Sequence, residues 1–388
     1  MSTFSVKPKV YFGVGELKAL REMNCKNAFI VTDPFMVKSG AINKVTEQLE
    51  LGSINYEVFS EIVPDPPLET VAKGIKSMDK FSPDAVIAMG GGSAIDAAKA
   101  ITHFRGLVKS GTTGVAVEKP MFIAIPTTSG TGSEVTAFSV ITDKQLNVKY
   151  PLVEEDMLPD AAILDAELVK SVPASITADT GIDVLTHAIE AYVSTEASDF
   201  TDALAEKAIK LVFKYLPIAY KEGANLEARE KMHNASCIAG MAFTNSSLGI
   251  NHSMAHIIGG RFHVPHGKAN ALVLPYVIEY NADIKISSNR EYTKAAERYA
   301  EIARFLGLTT SNNPREGVRS LLNAVKNLIK TVGIPNRLKD LEISLADFEA
   351  NVDEMAQIAK DDACTVTNPR NPEVTELRDL FCKVYNGR

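Results

Sequence analysis

Short apolar, β-branched runs recur through the first 165 residues of this chain, at 28–33 (AFIVTD), 56–59 (YEVF), 85–89 (AVIAM) and 121–125 (MFIAI), with amphipathic stretches between them. Strand-length runs alternating with helical patterns predict a mostly parallel sheet flanked by helices. Segments 137–142 and 161–165 are expected to extend or edge that sheet, with 144–159 as an irregular connection. From Ala178 the period changes: Ile182, Leu185, Ile189 and Val193 repeat at helical spacing, and 203–216 and 226–242 carry similar patterns. Pro173, within 171–177, marks an entry loop, and the polar interruptions in 281–313 and 336–344 predict loops between later helices. A chain of 388 residues is too long for one ordinary core. Two domains are expected, an α/β N-terminal domain over 1–177 and an all-helical C-terminal domain over 178–388.

Charge narrows the partners. A net charge of -7 and a pI near 5.6 leave no basic footprint for phosphates, which argues against nucleic acid and anionic membranes and for a small-molecule ligand. The N-terminus lacks a charged head followed by an apolar core, and no apolar run approaches the roughly 20 residues of a membrane helix. Cys25, Cys237, Cys364 and Cys382 form no C-x-x-C pair, the pattern of reduced thiols in a cytoplasm. A metal would therefore be held by nitrogen and oxygen.

The run 85–89 leads into Gly90-Gly91-Gly92-Ser93 and a helical pattern. Backbone N–H groups and the helix dipole at such a turn can hold a phosphate, and glycine lets a pyrophosphate approach the main chain. An ordinary tight turn has the same look, and the usual G-x-G-x-x-G is absent, with Ile95 in the last glycine position. Asp33, at the end of the first strong strand, can accept from adenosine ribose hydroxyls, favouring NAD over NADP, or can cap the turn ahead of Pro34. The stretch from Pro126 to Glu134, with Thr127 and Thr128, offers hydroxyls and amides after another strand, and Lys149 could reach a ribose or phosphate or simply be solvated.

Six of the seven histidines fall between residues 187 and 266. Asp183 and His187 stand one helical turn apart, as do His252 and His256, while His263 and His266 follow in a loop with Pro265 and Gly267. A carboxylate with imidazoles suits Fe(II), Zn(II) or another divalent first-row ion. Spacing alone leaves open whether His252 is joined by His256 or by His266.

With these motifs, and with 239–243 (AGMAF), the chain resembles the iron-containing (group III) alcohol dehydrogenases, a family that includes lactaldehyde reductase and 1,3-propanediol dehydrogenase. The resemblance runs nearly end to end. It implies a dinucleotide-binding N-terminal domain and a metal-binding C-terminal one, with Asp183, His187, His252 and His266 as metal ligands and His256 beside the cofactor as a proton relay. It also implies NAD held by Asp33, Gly91, Gly92, Ser93, Thr127, Thr128, Thr136 and Lys149, and a substrate cleft lined by Phe138, Phe243 and Cys364. Phe138 replaces a polar residue of the lactaldehyde enzymes, which points to a short aliphatic alcohol or aldehyde instead of a vicinal diol. Hydride would pass between that substrate and NAD, with Fe(II), or Zn(II), as Lewis acid. Relatives of this fold associate, so a homodimer or higher homo-oligomer is expected. A glycerol or polyol dehydrogenase and a non-catalytic assembly subunit are the competing readings.

Overall fold

The computed structural model describes residues 3–113, 118–144, 148–284 and 291–387. The chain divides into two compact units, one of Ser5–Ser171 with Ala224–Gly240, the other of Val172–Gly223 and the chain from Met241, together with the first residues. Among its described residues the first unit carries eight strands: β1 (Lys9–Phe12), β2 (Asn27–Thr32), β3 (Asn55–Phe59), β4 (Ala85–Gly90), β5 (Met121–Pro126), β6 (Phe138–Asp143), β7 (Val148–Val153) and β8 (Ala161–Leu164). Six of them form a parallel sheet in the order β1-β8-β5-β4-β2-β3. Its middle strands are buried on both faces, and alternate residues feed two cores. Phe29, Val31, Val86, Ala88, Phe122 and Ala124 pack on one side; Ala28, Ile30, Ile87, Met89, Ile123 and Ile125 pack on the other. Fully burying each of the larger side chains contributes roughly 1.5–3 kcal/mol, which pins the register.

Two expectations are corrected. Residues 138–143 do not join the parallel sheet; they pair antiparallel with β7 in a separate two-stranded ribbon, with Ile141 opposite Tyr150. The segment 144–159 is therefore a strand and a 3-10 turn (Glu155–Met157) in its described part, not an irregular connection. Pro151 and Lys149 of VKYPLV mask its strand pattern. Residues 161–164 do join the sheet, between β1 and β5.

The second unit is helical among its described residues: Ala174–Val193, Asp199–Lys221, the end of Leu226–Ser246, Ile250–Phe262, His266–Ala282, Lys294–Phe305, Pro314–Thr331, Leu345–Asp361 and Val374–Asn386. Every residue of the first from Gly181 to Val193 is buried, as for a helix surrounded by others. Lys294–Phe305 lies inside the stretch 281–313 read as a loop. Its buried stripe of Ala295, Ala296, Tyr299, Ala300, Ile302 and Ala303 is mostly alanine and gives little hydrophobic signal, although Thr293 caps it at Ala296 N. No helix among the described residues is long and apolar enough to cross a membrane.

Candidate dinucleotide turn and metal centre

In the parallel sheet the chain runs from β2 outward to β3 and returns to place β4 on the other side of β2. This is a reversal of winding direction, and the carboxyl ends of the two strands flanking it are where open α/β sheets bind ligands. Thr32 pairs with Met89, and Gly90 with Pro126, so Asp33, the glycine turn and Thr127 follow adjacent strands at one edge. Gly90 has φ +154°, and a Cβ on it would stand 2.6 Å from that of Ala94, so only glycine fits. Gly91 and Gly92 face the second turn: Cβ atoms there would lie 3.4 Å from Thr128 Oγ1 and 2.9 Å from Thr131 Cγ2. Gly92 and half-buried Ser93 open the helix Gly92–Thr113; the N–H groups of Ala94 and Ile95 donate to Gly91 O at 3.0 and 3.3 Å, while those of Gly92 and Ser93 come before the first bond of the helix. Thr127 is buried and its N–H donates to Gly90 O at 2.9 Å, tying the two turns together.

Asp33 caps the short helix Pro34–Lys38, with Oδ1 accepting from the N–H groups of Phe35 at 2.8 Å and Met36 at 3.1 Å. Its Oδ2 is turned toward Gly90, 3.4 Å from where a Cβ would stand. The capping use anticipated for an aspartate before proline is thus present, and one oxygen remains aimed at the glycine turn. Lys149 pairs with Thr142 through its backbone in β7, and its side chain lies outside the described residues.

One residue here escaped the sequence reading. Lys99 is fully buried, and its Nζ donates to Ser133 O (2.7 Å), Ser133 Oγ (2.8 Å), Thr136 Oγ1 (3.1 Å) and Phe138 O (2.7 Å). Asp96 accepts from Ser133 Oγ at 2.7 Å and Val140 N at 3.1 Å. Burial lowers the Lys99 ammonium to about 8, against the pull of Asp96 and Glu134. Thr136 is accordingly buried with its hydroxyl on Lys99, while Phe138 remains 38% exposed. Replacing Lys99 with Met should orphan these oxygens and leave Asp96 without its cation, costing about 3 kcal/mol or more, read as a lowered urea midpoint.

In the helical unit, the buried helix Ala174–Val193 presents Asp183, His187 and Glu190 one and two turns apart on one face. Buried polar groups on such a helix need partners. The ligand atoms of Asp183, His187 and His252 lie within 4.8 Å of one another, with all three residues buried. His252 Nε2 and His266 Nε2 lie 3.7 Å and 3.5 Å from Asp183 Oδ1. Ligand atoms about 3.4 Å apart are what a tetrahedral set with arms of about 2.1 Å requires. Asn270 Nδ2 donates to Asp183 Oδ1 at 2.6 Å and lies 3.2 Å and 3.1 Å from the same two imidazole nitrogens, so three potential ligand atoms converge on one small region.

The donor set fits a cation on two further counts. His187 Nδ1 is buried with no hydrogen-bond partner, and burial lowers this imidazole to about 3, keeping it neutral, with Asp183 opposing. Asp183 is held well below the carboxylate range: burial works against ionisation, and His187, His266 and His252 overcome it. His252 has the opposite shift. Burial lowers it, but Glu190 and Asp183 raise it to about 9. Glu190 Oε2 is bonded to His252 Nδ1, and its Oε1 accepts from Asn251 N at 2.8 Å. This directs Nε2 toward Asp183.

His266 begins the helix His266–Ala282 behind Pro265, after His263 has closed the preceding helix at φ +54°. A Cβ on Gly267 would strike Asp179 O at 2.1 Å, so glycine there is what allows His266 to approach Asp183. His256 goes elsewhere, with Nδ1 3.0 Å from Asp362 Oδ2. Phe243 is buried and its ring stacks on His187 at 4.5 Å, while Cys364 donates its N–H to Asp362 Oδ1 at 2.8 Å. Not every clustered histidine takes part: His233 bonds Ser129 Oγ at 2.9 Å in the first unit, and His263 is a helix terminus. Glu190, Asn251, Asn270 and Asp362 were not singled out from the sequence. Glu190 had the one usable signal, a carboxylate three residues after His187 on a helix face.

Comparison with known proteins agrees with these features. The C-terminal profile of the Fe-containing alcohol dehydrogenase family matches residues 177–385, and the profile of iron-containing alcohol dehydrogenases matches residues 7–166. A 1-propanol dehydrogenase of Citrobacter freundii is 45% identical over 382 residues, covering 98% of this chain and 99% of its own. An NADPH-dependent butanol dehydrogenase of Clostridium saccharobutylicum is 44% identical over 396 residues, covering 100% of this chain and 99% of its own. Among solved structures, a sulfoacetaldehyde reductase from Bifidobacterium kashiwanohense in complex with NAD+ matches with a TM-score of 0.86 at 32% identity, covering 100% of both chains. With both units matched by its profiles and near-full-length relatives at 45% and 44% identity, the chain is an oxidoreductase that belongs to the iron-containing alcohol dehydrogenase family.

Proposed function

We propose that this enzyme moves a hydride between NAD and a short aliphatic alcohol or its aldehyde, with residues 1–177 binding the dinucleotide and 178–388 the metal and substrate. The observation that carries the reading is the convergence of Asp183, His252 and His266 beside a buried, unpartnered His187 Nδ1. Asp183, His187, His252 and His266 are the proposed ligands. His266 is preferred to His256 because its Nε2 faces Asp183 at 3.5 Å, whereas His256 is turned to Asp362. A divalent cation held there, Fe(II) or Zn(II), would supply a Lewis acid for the substrate oxygen, and bound NAD would supply the hydride acceptor or donor.

The chain's own residues hold the reactants and move the proton. Gly91, Gly92 and Ser93 offer helix-terminal N–H groups to the pyrophosphate, and Thr127, Thr128, Thr136 and Lys149 complete the proposed dinucleotide site. Asp33 Oδ2 is assigned to the ribose hydroxyls, where it disfavours a 2′-phosphate. Phe138, Phe243 and Cys364 are assigned to the carbon chain of the substrate. None offers a hydroxyl to a second substrate oxygen, consistent with a monoalcohol. His256, with its side chain 43% exposed, takes the alcohol proton and passes it to solvent. Burial works against an ionised Asp362, yet His256, Cys364 N–H and Ser253 bring it down to about 2, so it stays anionic and steadies the imidazolium.

His256→Ala should lower turnover by roughly 10²–10⁴ and change its pH dependence while the Asp183 centre keeps its metal. Unchanged kinetics would remove the relay from the mechanism. The reaction itself is tested with anaerobically purified protein reconstituted with Fe(II) or Zn(II): NADH oxidation by acetaldehyde or propionaldehyde should depend on the metal and exceed the rate with NADPH. No turnover with either aldehyde would overturn the substrate class.

A cytoplasmic setting and a homodimer or higher homo-oligomer belong to the same reading. Four free thiols support the first. The open edge strand β1 and the exposed Phe12 and Val14 support the second. Sedimentation at the monomer mass of 42.0 kDa would refute self-association.

A further inference from the structure

A second group of metal-capable side chains lies in the helical unit. His256, one turn beyond His252 on the helix Ile250–Phe262, has Nδ1 3.0 Å from Asp362 Oδ2. The other oxygen of Asp362 accepts from Cys364 N at 2.8 Å and Ser253 Oγ at 3.2 Å. The carboxylate is thereby fixed between two elements, and the thiol of Cys364 is carried to the same side as the imidazole. The ligand atoms of His256, Asp362 and Cys364 all lie within 4.8 Å of one another. None of the three belongs to the group around Asp183.

We infer that His256, Asp362 and Cys364 form a second divalent-cation site, separate from the Asp183 centre and selective for borderline ions such as Zn2+ over Mg2+ or Ca2+. The selectivity follows from the donors: one imidazole nitrogen, one carboxylate oxygen and one sulfur match zinc, while the harder ions take oxygen sets. The Nδ1 to Oδ2 spacing is close to the roughly 3.3 Å edge of a tetrahedron with arms of about 2 Å, and the sulfur, within 4.8 Å of the other two ligand atoms, supplies the third donor. Three protein ligands leave a fourth position for water, and the half-exposed His256 gives entry from solvent. Burial and the neighbouring Asp362 keep the Cys364 thiol protonated when no cation is present. On binding, the hydrogen that Nδ1 donates to Asp362 is given up, leaving the imidazole neutral with its hydrogen on Nε2, and the sulfur–hydrogen bond is exchanged for a sulfur–zinc bond with its proton released to solvent, with no change of oxidation state.

The His256 ring stacks on His266 at 5.4 Å, so this ion is a neighbour of the first centre. It also occupies the pair assigned above to proton relay, which makes it inhibitory. That consequence rests on the proposed activity; the binding does not.

The test uses holoenzyme whose first centre is already filled, dialysed against Zn2+ and separately against Mg2+, with metal counted per chain. A second equivalent of zinc, absent with magnesium, is expected in the wild type and should bind about tenfold or more weakly in Cys364→Ser. Co2+ should give a near-ultraviolet thiolate-to-metal band in the wild type and in His187→Ala, lost in Cys364→Ser. The wild-type stoichiometry and spectrum need no variant to fold. A total of one divalent cation per chain at saturating zinc, an equal second equivalent of magnesium, or a thiolate band that survives Cys364→Ser overturns the site.

Discussion

Asp183→Asn is expected to give a folded protein that holds no stoichiometric divalent cation at the His187, His252 and His266 imidazoles and oxidises alcohols at least about 10³-fold more slowly. The substitution is nearly isosteric. Its amide oxygen can still accept from Asn270 Nδ2, now 2.6 Å from Oδ1, so the packing of the helix Ala174–Val193 has little reason to change. The charge is what disappears. Asp183 is the common neighbour of His252 and His266 and stands one turn from His187, so its charge faces all three imidazoles. Without it, a divalent ion must be held by neutral donors in a buried site, where the loss of Coulomb attraction is least screened. A Lewis acid contributes several kcal/mol to an alkoxide-like transition state, and about 4 kcal/mol corresponds to three orders of magnitude. Elemental analysis, far-ultraviolet circular dichroism and kcat/KM decide the matter together. A native spectrum with metal and rate intact would remove Asp183 from the centre.

How much of this centre was legible in the sequence depends on the distance over which each contact is made. Asp183 and His187 sit on one helix, and their spacing alone places them on a common face. The role of His266 depends on a chain reversal, in which His263 turns left-handed, Pro265 caps the next helix and Gly267 passes against Asp179 O. None of those steps has a period. Glu190 reaches His252 across 62 residues and Asn270 reaches Asp183 across 87, contacts that only tertiary packing brings about. The crowding of histidines in the sequence overcounts for the same reason: His233 stands beside the centre in sequence but bonds Ser129 in the other unit. The parallel sheet was legible because double burial writes continuous apolar runs. The ribbon of β6 and β7 was not, since Phe138 and Val153 are exposed and the proline and lysine of its second strand break the alternation.

Glu190 supplies the second large effect, and its sign depends on pH. In the metal-free protein, burial lowers the basicity of His252, but Glu190 and Asp183 raise it to about 9 from the ordinary 6.5. A cation needs the Nε2 lone pair, so below about pH 9 each binding event displaces one proton, and apparent affinity should climb about tenfold per pH unit from 6.5 to 9. Glu190→Gln replaces one carboxylate oxygen with an NH2 group that must face either His252 Nδ1–H or the N–H of Asn251, which now donates at 2.8 Å. The imidazole then loses both the acceptor that fixes its tautomer and the charge that raises its pKa. Outer partners of this kind are worth 10–100-fold in affinity, so the variant should bind about that much more weakly at pH 9, where the wild type no longer competes with a proton. At pH 7 the wild type still meets that competition while the variant largely escapes it, and the gap should narrow or invert. Chelator competition with Co2+ at pH 7, 8 and 9 reads the two slopes directly. Parallel slopes would mean that Glu190 does not govern the proton on His252, whereas a flattened slope with weaker binding at pH 9 ties the buried carboxylate to the aim and basicity of that ligand.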